Sequence, residues 1–160
     1  CAIDDIVASP VFVGRNAYIG DGSGKVVALK IENGERNWTA PFGSSGNFWI
    51  AGKSLFFISD TNKLVRLEMK TGKTVWLTEL PSFSQKRLLR NKKTNQHHGP
   101  IIAGNQLVIV SSDGYIRFYD PKTGEQRNKF KIKAGATANP IVVNETLYLI
   151  TQDGKLRAFR

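Results

Sequence analysis

Apolar and polar positions along this chain fall into one grammar, written four times: at residues 13–38, 50–76, 102–130 and 143–160. Each copy reads as a turn, a short apolar run, a polar turn, an alternating run and, in the first three copies, a Gly-centred turn and a last strand. Period-two alternation with β-branched and aromatic enrichment predicts strands rather than helices. In the third copy Leu107, Val108, Ile109 and Val110 form a buried run, Asp113-Gly114 a tight hairpin, and residues 115–119 the return strand. Glycine at such a hairpin accepts a positive φ that a side chain would oppose. Asp153-Gly154, Gly24-Lys25 and Asn62-Lys63 stand at the equivalent places.

The next turn is centred on Gly34, Gly72 and Gly124 in turn. Trp38 and Trp76 follow it at one fixed spacing, where the third copy has Asn128 and, two residues on, Phe130. An aromatic repeated at one strand position predicts coverage of the neighbouring sheet rather than ligand stacking. Repeats of this length and grammar are the signature of β-propeller blades. The expected fold is therefore all-β, with blades of four antiparallel strands. About four blades are present, at about residues 8–42, 46–81, 99–133 and 138–160, as a fragment of an eight-bladed propeller. Ile3 to Val7 are candidates for the strand that completes the last blade.

The Gly72 to Gly124 spacing exceeds that of Gly34 to Gly72, and the excess lies in residues 82–98. This inserted loop breaks the alternation, with a helical turn expected at residues 84–89. It holds Lys86, Arg87, Arg90, Lys92 and Lys93, with Leu88 and Leu89 between them. Insertions in repeat proteins map to rims, where partners bind. A basic rim loop suits an acidic protein surface or anionic headgroups, and equally a solvated loop. It lacks the interleaved aromatics of a nucleic-acid site, so no nucleic acid is expected.

Across 160 residues, 23 Lys and Arg outnumber 13 Asp and Glu, a net charge of +10. Most of that charge is spread over turns, so only the inserted loop forms a footprint. Apolar runs are strand-sized, short of a membrane helix. One cysteine, Cys1, excludes an internal disulfide. Residues 1–7 show no signal-peptide pattern, so the chain reads as a mature or truncated form. Cys1 invites a lipid anchor, but a strand-like segment follows it directly, without a spacer.

Metal and nucleophile patterns are absent. Adjacent His97 and His98 lack further ligands, read as part of a polar loop, and would point opposite ways on a strand. No serine has His and Asp company that the sequence places. The carboxylates of Asp113 and Asp153 are accounted for by their turns.

The Asp-Gly hairpins, Ala-Leu and Ala-Phe strands, Thr-Gly-Lys turn and Trp resemble the pyrroloquinoline-quinone-type propeller repeat. Within that superfamily residues 5–13, 21–38, 47–76 and 113–160, closing on Gln152-Asp153-Gly154-Lys155-Leu156, resemble the C-terminal half of the BamB-like outer-membrane assembly lipoproteins. The resemblance implies a non-enzymatic scaffold with no cofactor, at the periplasmic face of the outer membrane and lipid-anchored in the full-length parent. It implies BamA-type POTRA domains and other assembly-machine subunits as partners, with unfolded outer-membrane protein substrates as further ones, while a homodimer of half-rings is expected from the blade count instead. It also implies contact through acids in residues 5–10. Asp5 matches one family aspartate. The other falls at Val7, where this chain departs from the pattern, and Asp4 is the neighbouring acid that would compensate. A fragment of a quinoprotein dehydrogenase, or a generic interaction module, are the alternatives. The adjacent-cysteine disulfide that the dehydrogenase family carries has no place in a chain with one cysteine.

Overall fold

The computed structural model describes Ile6, residues 8–83 and residues 94–160. Every regular element among them is a strand, and the chain divides into two compact units, Cys1–Thr78 and Glu79–Arg160.

The first unit holds two four-stranded sheets. Sheet 1 is β1 (Val11–Val13), β2 (Asn16–Asp21), β3 (Lys25–Lys30) and β4 (Arg36–Ala40), in that order. Sheet 2 is β5 (Trp49–Ala51), β6 (Ser54–Ile58), β7 (Lys63–Glu68) and β8 (Thr74–Glu79). In the second unit, sheet 3 is β9 (His97–Ala103), β10 (Gln106–Ser111), β11 (Tyr115–Tyr119) and β12 (Gln126–Lys131). Sheet 4 has three strands, β13 (Ile141–Val143), β14 (Thr146–Ile150) and β15 (Leu156–Phe159). Of the strand expected at Ile3 to Val7 only Ile6 is described, and it bridges Asp21 of sheet 1. The remaining residues of that segment, and the helical turn expected at residues 84–89, lie outside the described residues.

The turn chemistry is the repeated device. The amides of Gly34, Gly72 and Gly124 each donate to the carbonyl four residues back, on Lys30, Glu68 and Asp120, at 2.8–2.9 Å. Their φ angles of 69°, 70° and 75° lie where glycine is favoured. At the preceding hairpin Gly24, Asn62, Gly114 and Gly154 all adopt positive φ, and Asn62 does so without being glycine. Asparagine tolerates that conformation by bonding locally.

Each unit has a core between its two sheets, and in the first unit Ala17, Ile19, Val27 and Leu29 of sheet 1 form a further buried cluster. In the first, Tyr18, Val26 and Ala28 meet Leu55, Phe57, Val65 and Leu67. In the second, Val108, Val110 and Ile116 meet Leu147 and Leu149. Trp38 acts between sheets as expected. Its Nε1–H donates to the Met69 carbonyl at 2.9 Å, and its ring lies against Gly72. Sheet 3 solves the same problem differently. Ala28 pairs with Trp38 in sheet 1, whereas the matching pair in sheet 3 is Phe118 with Asn128. The aromatic has moved across one strand, and Phe118 meets Phe130 edge-on at 5.6 Å.

Candidate functional site

All seven partner-binding candidates, Asp4, Asp5, Lys86, Arg87, Arg90, Lys92 and Lys93, lie outside the described residues. What the structure does describe is the neck from which residues 84–93 depart. Phe83 bridges Thr94, and the Asn95 amide donates to the Ser82 carbonyl at 2.9 Å. The Asn95 side chain donates to the Pro81 carbonyl at 2.8 Å. That carbonyl also takes a bond from His97 Nε2 at 3.1 Å. Residues 81–83 and residues 94–97 are thus tied to each other by one bridge and three hydrogen bonds.

His97 and His98 belong to β9 and not to a polar loop. The broken alternation concealed this, because the strand starts at the end of the insertion. The carbonyl of Pro81 only accepts, so His97 Nε2 carries the hydrogen and Nδ1 accepts from the Ser111 hydroxyl, 2.7 Å away. Arg117 Nη1 donates to the same hydroxyl at 2.9 Å and to Asp113 Oδ1 at 3.1 Å. The Asp113 carboxylate therefore serves Arg117 in an ion pair, whereas the sequence had assigned it to its turn. Asp153 likewise pairs with Arg157 at 2.8 Å, beside Thr151.

A serine beside a histidine invites a nucleophilic reading. Here Ser111 is fully buried, and the carboxylate is bonded to arginine rather than to the imidazole. The cluster lacks the access and the carboxylate-oriented base that acyl transfer needs. Among the described residues no group of His, Cys, Asp and Glu has the makings of a metal site.

Burial holds the His97 imidazole below its ordinary pKa, with the Pro81 carbonyl opposing and the Arg117 charge adding to the shift. Burial lowers His98 as well. The folded state therefore keeps both rings neutral where an unfolded chain begins to protonate them, near pH 6.5. Stability is expected to fall as pH drops below that value towards the folded-state pKa, and to be flat with respect to these groups above it. Denaturant titrations between pH 7.5 and 5.5 on the native chain and on His97→Gln test this, in a range set by the ordinary histidine pKa. The variant should lose part of the acid sensitivity. An identical pH slope would remove His97 from the explanation.

The second unit also contains a groove of about 750 Å³ between sheets 3 and 4. Its lining is apolar, with Val108, Phe118, Phe130, Leu147 and Phe159, and Glu145 and Arg160 add charge at its rim. Glu145 sits at φ 60°, an uncommon conformation for glutamate. The sequence did not point to this groove, since its walls come from two repeats. The signal available was Asn128 standing where the earlier copies have Trp38 and Trp76.

A family model described as outer membrane protein assembly factor BamB matches residues 1–78 and 56–160. An assembly factor of that name from Shewanella oneidensis is 26% identical over 153 residues, covering 95% of this chain and 36% of the relative. One from Legionella pneumophila is 26% identical and covers 95% and 37%. The chain thus spans little more than a third of the relatives it matches. Among solved structures, BamB from Moraxella catarrhalis superposes with a TM-score of 0.77 at 18% identity, covering 96% of this chain and 44% of that one. A quinohemoprotein alcohol dehydrogenase from Comamonas testosteroni gives 0.68 at 18% identity, covering 93% and 29%. At such identities the structures speak for fold alone, and the fold is that of β-propeller blades.

Proposed function

This chain belongs to the BamB family of outer membrane protein assembly factors, and from that membership we propose that it is a non-enzymatic scaffold segment of the outer-membrane β-barrel assembly machinery. Its partners are BamA-type POTRA domains and other assembly subunits, and it assists the insertion of outer-membrane proteins from the periplasmic face of the membrane, lipid-anchored in the full-length parent. The observation that carries this reading is the family match over both units. The chemistry agrees with it. Ser111, whose hydroxyl bonds to His97, is fully buried.

In this proposal Asp5, with Asp4 beside it, meets a POTRA domain, and Lys86, Arg87, Arg90, Lys92 and Lys93 present a basic edge to an acidic surface. Rim charges act mainly on association rate and salt dependence. Light scattering of the 160-residue chain with a purified BamA periplasmic region should show a complex heavier than either component. Asp5→Lys should weaken that complex several-fold, as loss of a charge pair at an interface does. Unchanged affinity would remove Asp5 from the contact, and absence of any complex would remove the POTRA assignment from this segment.

A further inference from the structure

The cations of this chain are not shared evenly. Residues 79–160 hold 14 Lys and Arg against 6 Asp and Glu, whereas residues 1–78 hold 9 against 7. Charge asymmetry between the halves of a chain points to a membrane or nucleic-acid surface. Three arginines of the second unit are already spent. Arg117, Arg127 and Arg157 pair with Asp113, Asp120 and Asp153. The lysines that follow Arg127 are not. Among the described residues Lys129, Lys131 and Lys133 form no ion pair, and all three are exposed.

The strand β12 sets these lysines in a row. Alternate residues of a strand face one way, about 7 Å apart, so Lys129 and Lys131 share a face. Lys131 lies across from Tyr115 and Lys129 across from Arg117. The Lys129 ammonium stands over the Tyr115 ring, 5.5 Å from its centre. The next residue inward, Ile132, is buried and still tied to the Gly114 carbonyl at 2.8 Å, which carries the alternation on to Lys133. Lysines on an edge strand can serve only to discourage pairing with another chain. The outer strands β4 and β8 do without them, since Asn37 and Thr39 flank Trp38, and Val75 and Leu77 flank Trp76. The row is particular to sheet 3.

The choice of cation narrows what the row meets. Arginine is favoured where a planar fork must match a fixed carboxylate or a nucleic-acid phosphate, and protein interfaces are depleted in lysine. A layer of lipid headgroups presents no fixed geometry, and lysines act on it as point charges. We propose that Lys129, Lys131 and Lys133 form a docking row for anionic phospholipid headgroups, laying the outer strand of sheet 3 against a membrane surface. The row goes beyond the scaffold reading and needs no POTRA contact.

The probe is a pair of vesicles, phosphatidylcholine alone and an equimolar mixture with phosphatidylglycerol, floated with the 160-residue chain. The chain should bind the anionic vesicles, release them as salt rises and ignore the neutral ones. Lys129→Gln, Lys131→Gln and Lys133→Gln together should weaken binding about 100-fold, since each lysine near an anionic surface contributes about fivefold. The three side chains are exposed, so glutamine removes their charge and leaves the sheet to fold. Lys53→Gln, Lys70→Gln and Lys73→Gln remove the same net charge from exposed positions of the first unit, and this variant should bind nearly as the native chain does. Equal losses in the two triple variants would reduce the effect to net charge and overturn the proposal, as would native chain that floats with neither vesicle. Capture of a glutamate-rich peptide through the row, without vesicle binding, would assign it to a protein partner and overturn it too. None of these readouts uses a POTRA domain, so this proposal and the scaffold reading fail separately.

Discussion

Asp113→Ala is expected to destabilise the second unit by about 3–5 kcal/mol, the cost of leaving one partner of a buried ion pair without the other. The side chains of Arg117 and Asp113 are 5% and 9% exposed, so the guanidinium left behind has little water to turn to. Its remaining bond to Ser111 satisfies one donor of five. The pair itself need not be a net gain, because desolvating two charges offsets much of their attraction. The double replacement Asp113→Leu with Arg117→Met should therefore recover most of the loss. At the matching pair in sheet 4, Arg157 and Asp153 are 25% and 34% exposed. Water screens that pair, and Asp153→Ala should cost less than Asp113→Ala does. All three tryptophans, Trp38, Trp49 and Trp76, lie in the first unit, so hydrogen exchange of β10 and β11 is the measurement to make. Equal losses at Asp113 and Asp153 would show that burial is not what sets the cost.

The ion pair also marks where the sequence stops being legible. Turns were readable because each needs a particular residue: Gly34, Gly72 and Gly124 hold positive φ in the first three copies. Strands were readable from alternation, and Leu107 to Val110 fall inside β10 as the pattern required. The Asp113–Arg117 pair was not, because a carboxylate at a hairpin tip has a sufficient local explanation in the turn. Only the antiparallel register shows Arg117 folding back beneath it on the buried face. The exchange of Ala28 and Trp38 for Phe118 and Asn128 escaped for a related reason. Single-strand reading sought the missing aromatic further along β12 at Phe130, whereas cross-strand pairing places its counterpart on β11. His97 was hidden by the insertion beside it. The charged candidates at Asp4, Asp5 and residues 86–93 rest on sequence and resemblance, since they fall outside the described residues.

Trp38→Ala is expected to cost the first unit about 3 kcal/mol, the lower end for losing a large aromatic, since Trp38 is only partly buried. The loss combines the covered area over Tyr18 with the bond to the Met69 carbonyl. The matching experiment is Gly72→Ala. A Cβ there would lie 2.5 Å from Trp38 Cε3, and φ is already +70°. Backbone strain alone costs about 1 kcal/mol for alanine at such an angle. Displacing the indole should bring the total close to the loss in Trp38→Ala, because the same contact is destroyed from the other side. Gly34→Ala provides the comparison, with φ +69° and nothing within 4 Å of the added atom. It should show the strain without the displacement. The double variant Trp38→Ala with Gly72→Ala then decides the mechanism. If the added Cβ acts through the indole, the second substitution costs only the strain once the ring is gone, and the pair falls short of additivity by about 2 kcal/mol, within the range for residues in contact. Full additivity in urea titrations followed by tryptophan emission would mean that the Gly72 turn and the Trp38 ring stabilise the unit independently.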